Sequence, residues 1–509
     1  MENRRPALRS RYILKNSIFS IFSQILMILL GFVSTRVLNL VLGEALLGVN
    51  GVIANVLGIL SVSDLGFTTA LSYHLYKSLY EKDDERTAAL MALFRKVYRI
   101  IALIIFTAGM AILPFAHLIM KENPFPLTYV RILYFLWLMK SVLSYLLGYR
   151  RVLLAADQKE YIVSIGNMFA YVLNYSSIIV IVSLFGNYLL ALSIGIMGEA
   201  LTNIFINIYA NKHYPYLKEK LSVPSSAFTK VFSDVKNIFV SKICRHILNS
   251  TDNLIISGII SVRMTGLFNN YILIYNSVTG IIIALSNSIQ PSMGNLFAEG
   301  NKTYDKDALE KMQFMFFLVA AFVSSSLCAL LEPFIGGIWL NTRYVLGAPF
   351  AACMAAYAAI LILSLPISVC MGTSGLFKKD KTISVVMAVT NIAISIGLIS
   401  PLGVSGVVIG TIISLLFQMG MRIYYFFRDF LGMGVGGFLG NIFLYFLLTV
   451  IETALTFLCV RAVYDGSFLS FAVSCLLCVF IPNGMNLILF LRTKRFEDLL
   501  DQILQIKTL

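Results

Sequence analysis

Apolar runs of about 20 residues recur along the whole chain, separated by short polar segments. That is the length a helix needs to cross the hydrocarbon core of a bilayer. Fourteen spans are placed, at about 14–40, 49–76, 99–120, 127–149, 161–185, 187–211, 231–260, 265–292, 312–333, 345–373, 382–400, 402–425, 436–460 and 467–491. An outer-membrane barrel would instead show short segments of alternating polarity. The first run is too long for a signal-peptide core and lacks a small-residue cleavage site, so it counts as the first span. The longest inner linker, NKHYPYLKEKLSVPSSAFTK, carries two Pro and three Ser and reads as a boundary between halves. The expected organisation is therefore spans 1–6 over residues 1–213, a linker over 214–230, spans 7–12 over 231–430, and two further spans over 431–492. A tail over 493–509 follows. Phe496, Leu499, Leu500, Ile503 and Leu504 share one helical face there, which predicts an amphipathic helix on the membrane surface or docked on the bundle.

The polar positions inside these spans are more telling than the apolar ones. Residues 237–271 read NIFVSKICRHILNSTDNLIISGIISVRMTGLFNNY, a membrane-length helix carrying Lys242, Arg245, His246, Asn249, Asp252 and Asn253. At about 100° per residue these six fall within an arc of roughly 120°. A charge at the centre of a membrane helix costs at least about 2.5–3.5 kcal/mol on insertion scales. The stripe must therefore face protein or a wet cavity. Polar glue between helices is the plainer reading; a cavity wall that meets a hydrophilic anion is the sharper one. Comparable marks occur elsewhere: Asn16, Ser20 and Gln24 on the first span, Asp64 near the centre of the second, Lys140 mid-way along the fourth. Glu199, Asn203 and Asn207 form a stripe on the sixth, and Pro366 is expected to kink the tenth.

Composition and charge sharpen this picture. The 509 residues are 58% hydrophobic and 13% charged, with a mean hydropathy of +0.82, a balance foreign to soluble globular proteins. The net charge of +14 is distributed by topology. With the N-terminus inside, the inner segments and the span ends bordering them hold 31 of the 40 Lys and Arg. The outer loops hold four, Lys121, Arg263, Arg343 and Arg461; Arg36, Arg131, Lys140, Lys242 and Arg245 lie within spans. This asymmetry argues for both termini in the cytoplasm and against a nucleic-acid partner, leaving anionic lipid as the bulk contact. The seven Cys all sit in apolar segments without metal or haem spacing and read as small core residues.

After the linker the opening pattern recurs faintly: an offset of 218 residues aligns Gly48 with Gly266, each at the outer turn between a first and a second span. Two six-span bundles with a site between them are a transporter architecture. Several stretches resemble the polysaccharide (Wzx-type) flippases of the multidrug/oligosaccharidyl-lipid/polysaccharide (MOP) exporter superfamily. They are Arg36 through LGEALLGVNG, SDLGFTTALSYHLYKSL, YRRVLLAADQKEYI, STDNLIIS with TGLFNNY, and SMGNLF around Gly294 and Asn295. The match is best with capsule or exopolysaccharide flippases of Firmicutes and covers at least residues 14–300. Ser63-Asp64 departs from the Ala-Glu pair expected before Leu-Gly, keeping the acid one methylene shorter.

The resemblance implies an all-α integral membrane protein of the bacterial plasma membrane. It would have about 14 transmembrane helices in two six-helix lobes, V-shaped and MOP/MATE-like, plus two C-terminal helices. It implies flipping of an undecaprenyl-pyrophosphate-linked oligosaccharide repeat unit from the inner to the outer leaflet by alternating access, with membrane lipids and a polysaccharide polymerase as partners. It further implies cavity cations that hold the pyrophosphate or acidic sugars. By depth and face that role maps onto Arg36, Lys140, Lys242 and Arg245, with Asn249 and Asn269 beside them as substrate-binding residues.

Lys140, Lys242 and Arg245 face the acids Asp64, Glu199 and Asp252; left unpaired, six such charges would cost on the order of 15–20 kcal/mol. A bidentate Arg with a nearby Lys matches a pyrophosphate, and the competing reading of each is a structural ion pair. Arg36, near a span end, can instead snorkel to headgroups. Asp64, Glu199 and Asp252 are the candidates for coupling to Na+ or H+, with no other cofactor expected. Asn167, Asn174, Asn203, Asn249, Asn269 and Asn276 are polar side chains suited to choosing the glycan. Enzyme classes are disfavoured: there is no phosphate loop of the form G-x-x-x-x-G-K-[ST], and His74, His117, His213 and His246 are scattered. A glycosyltransferase or polymerase would need a large loop rich in acids and His. A peptidoglycan-precursor (lipid II) flippase and a cation-coupled drug antiporter of the same fold remain the alternatives.

Overall fold

The computed structural model describes residues 4–60, 81–115, 120–157, 159–218 and 251–493, with Leu75, Ser78, Leu79 and Phe496 besides. Every regular element among them is helical. The first compact unit, Met1–Gly266, contains α1 (Arg4–Leu42), α2 (Glu44–Leu60), α3 (Asp84–Ile112), α4 (Leu127–Gly148), the short α5 (Arg151–Ala156), α6 (Glu160–Ser177) and α7 (Tyr188–His213). The second, Leu267–Leu509, takes most of α8 (Val262–Ala298). It continues through α9 (Lys302–Pro333), α10 (Ala348–Thr373), α11 (Phe377–Leu402), α12 (Val404–Tyr425), α13 (Gly436–Val463) and α14 (Phe468–Phe490). Among the described residues twelve helices are long and apolar enough to cross a membrane, and Glu44–Leu60 is a shorter apolar helix. The expected second and seventh spans fall in part, and the amphipathic tail beyond Phe496 entirely, outside the described residues. The chain is a multi-pass membrane protein.

Helix ends follow local chemistry. Asp83 caps α3 by accepting from the Arg86 amide at 2.8 Å. Asn187 caps α7 through the Leu190 amide, and Asn301 caps α9 through Thr303 and Tyr304. These side chains satisfy amides that have no partner inside their own helix. Three π-helical segments follow α6, α9 and α12, at Ile178–Val182, Phe334–Trp339 and Phe426–Leu431. Pro366 sits inside the unbroken α10.

Packing within each unit obeys membrane rules. Large apolar side chains such as Phe185, Phe443 and Ile488 are mostly exposed, as lipid-facing groups are. Helices approach closely at small residues. A Cβ on Gly48 would overlap the Val262 carbonyl, and one on Gly266 would overlap the Glu44 carbonyl. The two glycines aligned by the 218-residue offset thus lie against each other's helices, and Glu44 pairs with Arg263 at 2.6 Å beside them.

In the second unit α9 runs along α10, α13 and α14. The C-terminal pair is tied on by polar contacts: Glu452 accepts from Asn486 at 3.1 Å, and Thr453 meets Ser324 and Ser325 at 3.1 and 3.3 Å. Arg422 of α12 pairs with Asp380 at 2.8 Å and donates to the Ser368 hydroxyl at 2.8 Å. Arg422 and Glu452 are both buried.

Candidate functional site

In the first unit, α4, α5, α6 and α7 bring a polar cluster together. Each contributor sits there for a sequence reason. Glu199, Asn203 and Asn207 recur every four residues on α7 and so share one face. Arg150 and Arg151 follow directly on α4 and open α5. Asn167 lies on α6, which packs along α7.

Arg151 is the centre. Its Nε donates to Asn203 Oδ1 and its Nη1 to Asn167 Oδ1, both at 2.7 Å. Burial pulls the guanidinium below its usual range, while Glu199, Tyr171 and Glu160 act in the opposite sense; an arginine so perturbed still carries its charge at neutral pH. Arg150 instead supports the backbone, donating to the Asn207 carbonyl at 2.8 Å, and Asn207 returns a bond to the Leu147 carbonyl at 2.9 Å.

Lys140 sits on α4 with its Nζ 3.8 Å from Glu199 Oε2 and 4.9 Å above the Trp137 ring. The Trp137 indole is fixed by donating to Asn50 at 3.0 Å. Both members of the Lys140–Glu199 pair are about 30% exposed, at 29% and 31%. A loose, half-exposed ion pair of this kind is held weakly. Near the same loop Lys159 pairs with Asp157 at 2.7 Å, and Asp157 accepts from the Tyr214 hydroxyl at 2.6 Å. Burial and that carboxylate push the phenol well above its ordinary range.

Neither a protein-family profile nor a curated protein matches this sequence. Solved structures do. The chain is similar to the lipid II flippase MurJ in its inward closed conformation, with a TM-score of 0.70 at 12% identity, covering 93% of this chain and 98% of that one. It is similar to a multidrug-resistance MATE-family transporter of the MOP superfamily in its inward-facing conformation, with a TM-score of 0.65 at 13% identity, covering 81% and 96%. A third likeness is to the MATE multidrug transporter DinF-BH, with a TM-score of 0.59 at 15% identity, covering 82% and 95%. The chain has the MurJ/MATE-like fold. Those neighbours are a flippase and transporters rather than enzymes.

Within that fold the candidate substrate-binding and ion-coupling residues, with His246 of the same stripe, separate into three groups. Lys140 and Glu199 are brought together. Arg36 is exposed on α1, and Asp252 and Asn269 are half-buried, neither without a partner. Asp64, Lys242, Arg245, His246 and Asn249 lie outside the described residues. Of the polar residues suited to choosing a glycan, Asn167 and Asn203 hold Arg151, Asn174 abuts Gly195 of α7, and Asn276 is exposed.

Arg151 was not singled out from the sequence: it stands beside Arg150 just past the end of an apolar span, where basic residues are common on the inner side. The available signal was the stripe itself: Glu199, Asn203 and Asn207 demand donors, and the nearest unassigned ones close the α4 turn. The same applies in the second unit, where Arg422 counted toward the inner positive charge yet is buried against Asp380.

Proposed function

We propose that the protein flips undecaprenyl-pyrophosphate-linked oligosaccharide repeat units from the inner to the outer leaflet of the bacterial plasma membrane, by alternating access, for capsule or exopolysaccharide synthesis. The observation that carries this reading is the half-exposed pair of cations in the first unit, Lys140 and Arg151. Arg151 spends two of its five donors on amide oxygens rather than on carboxylates. A pyrophosphate takes a bidentate guanidinium and a nearby ammonium readily. Arrival of the headgroup would draw Lys140 off Glu199 and free that acid to take up H+ or Na+, with Asp64 and Asp252 as further coupling candidates. Lys242 and Arg245 would add to the headgroup site, as would Arg36, with Asn249 and Asn269 facing the glycan. A polymerase would receive the product, and both termini would face the cytoplasm.

Complementation tests this. The gene is deleted and wild type, Lys140→Ala, Arg151→Ala, Lys242→Ala, Arg245→Ala and the control Arg343→Ala are supplied at matched expression. Surface polymer and lipid-linked repeat units are both assayed. Lost polymer with intact precursor accumulating, in the cation variants but not the control, is the expected result. Normal polymer in the deletion strain would overturn the reading. Accumulation of the peptidoglycan precursor in its place would assign the chain to lipid II, which shares the lipid pyrophosphate. Undisturbed lipid precursors with heightened sensitivity to cationic drugs would assign it to drug export.

A further inference from the structure

The second unit holds a half-open cavity of about 630 Å³ where α9 and α13 end, a volume typical of small-ligand sites. The charge asymmetry assigns these helix ends to the outer side, at the level of lipid headgroups. One wall is the π-helical turn Phe334–Trp339, an irregularity that occurs often at functional sites. Gly337 of that turn leaves room for the Tyr464 hydroxyl, which a Cβ there would overlap. The hydroxyl donates to the Pro333 carbonyl at 3.4 Å.

The cavity carries one acid, Glu332, and one base, Arg461. Glu332 Oε1 is buried and makes no hydrogen bond, a costly state for a carboxylate oxygen. Arg461 is exposed and acts on Glu332 through space, without a close ion pair between the two among the described residues. The outer cations of the first unit, by contrast, are occupied: Arg263 by Glu44 at 2.6 Å and Lys121 by the Ile259 carbonyl at 3.0 Å. Beyond Gly466 of the wall, Phe468 and Leu469 open α14 with 74% of each side chain exposed, which suits them to acyl chains. A lone anion would meet the Glu332 charge, and a lone cation would leave Arg461 unmatched. A ligand bearing both charges satisfies both walls.

We infer that this cavity binds a zwitterionic lipid headgroup with a primary ammonium and a phosphate. The ammonium donates to Glu332, the phosphate accepts from Arg461, and the chains lie along Phe468 and Leu469. The inference is independent of what the first unit transports.

The test uses the full-length purified protein and native mass spectrometry. Short-chain phosphatidylethanolamine, short-chain phosphatidylglycerol and O-phosphoethanolamine are each titrated against wild type, E332Q, R461Q and the control E299Q. Melting temperatures within about 2 °C of wild type establish that a variant is folded. Wild type is expected to prefer phosphatidylethanolamine over phosphatidylglycerol. E332Q should weaken that binding about tenfold, and R461Q about fivefold because Arg461 is the more exposed of the two. Equal binding of the two lipids, or an unchanged preference in folded E332Q, would overturn the site. Equal affinity for O-phosphoethanolamine and the lipid would overturn the assignment to a lipid.

Discussion

The polar clusters of the two units are built from the same side-chain types and are held very differently. In the second unit Arg422 is 6% exposed and Glu452 fully buried. Each has a close partner, Asp380 at 2.8 Å and Asn486 at 3.1 Å. In the first unit Lys140 and Glu199 remain about a third exposed and 3.8 Å apart, and Arg151 rests on amides. Burial with tight pairing makes a charge part of the scaffold, because removing one partner strands the other in low dielectric. Partial exposure with loose pairing leaves a charge available to a ligand. Residue type alone does not separate these cases; exposure and partner distance do.

The contrast can be broken at several points. The largest effect is expected from Arg422→Ala, which strands Asp380 and should cost about 3–5 kcal/mol. A melting temperature within error of wild type would remove the scaffold half of the comparison. Next is Gly266→Leu, which drives a side chain into the Glu44 carbonyl and should cost about 1–3 kcal/mol, again read by thermal melting. Asp465 gives a smaller, pH-dependent signal. Its carboxylate accepts from the Ser470 hydroxyl at 2.6 Å and the Ser467 amide at 2.8 Å, which hold it down at about 2, against an ordinary 3.8. A lowered carboxylate stabilises above its ordinary value and loses that contribution as pH falls through the folded value. Wild type should therefore lose more melting temperature than Asp465→Asn between pH of about 5 and about 3. The smallest stability effect belongs to Lys140→Gln. A half-exposed pair contributes about 0.2–1 kcal/mol, so this variant should melt near wild type.

The helices are legible in the sequence because crossing a bilayer imposes a length and a composition that any single segment displays. The α7 stripe was legible for the same reason: Glu199, Asn203 and Asn207 lie within two turns of one helix. The partners of that stripe were not. Arg151 meets Asn167 and Asn203 across 16 and 52 residues of chain, and no local pattern encodes which turn closes over which stripe. Arg422 illustrates the converse error. It counts as one more inner positive charge until Asp380, 42 residues earlier, is seen to bury it. Glu332 and Arg461 come to one cavity only through the ends of α9 and α13.

The central claim is that the half-exposed cations of the first unit contact the substrate headgroup while the buried ones of the second do not. It is tested most directly in proteoliposomes holding a fluorescent, short-chain lipid-pyrophosphate oligosaccharide, with wild type and the Lys140→Gln/Arg151→Gln double variant at equal folded amounts. The initial rate of flipping per folded molecule should fall by at least about tenfold, the effect of losing one charge-assisted contact. A double variant that flips at the wild-type rate would contradict the claim.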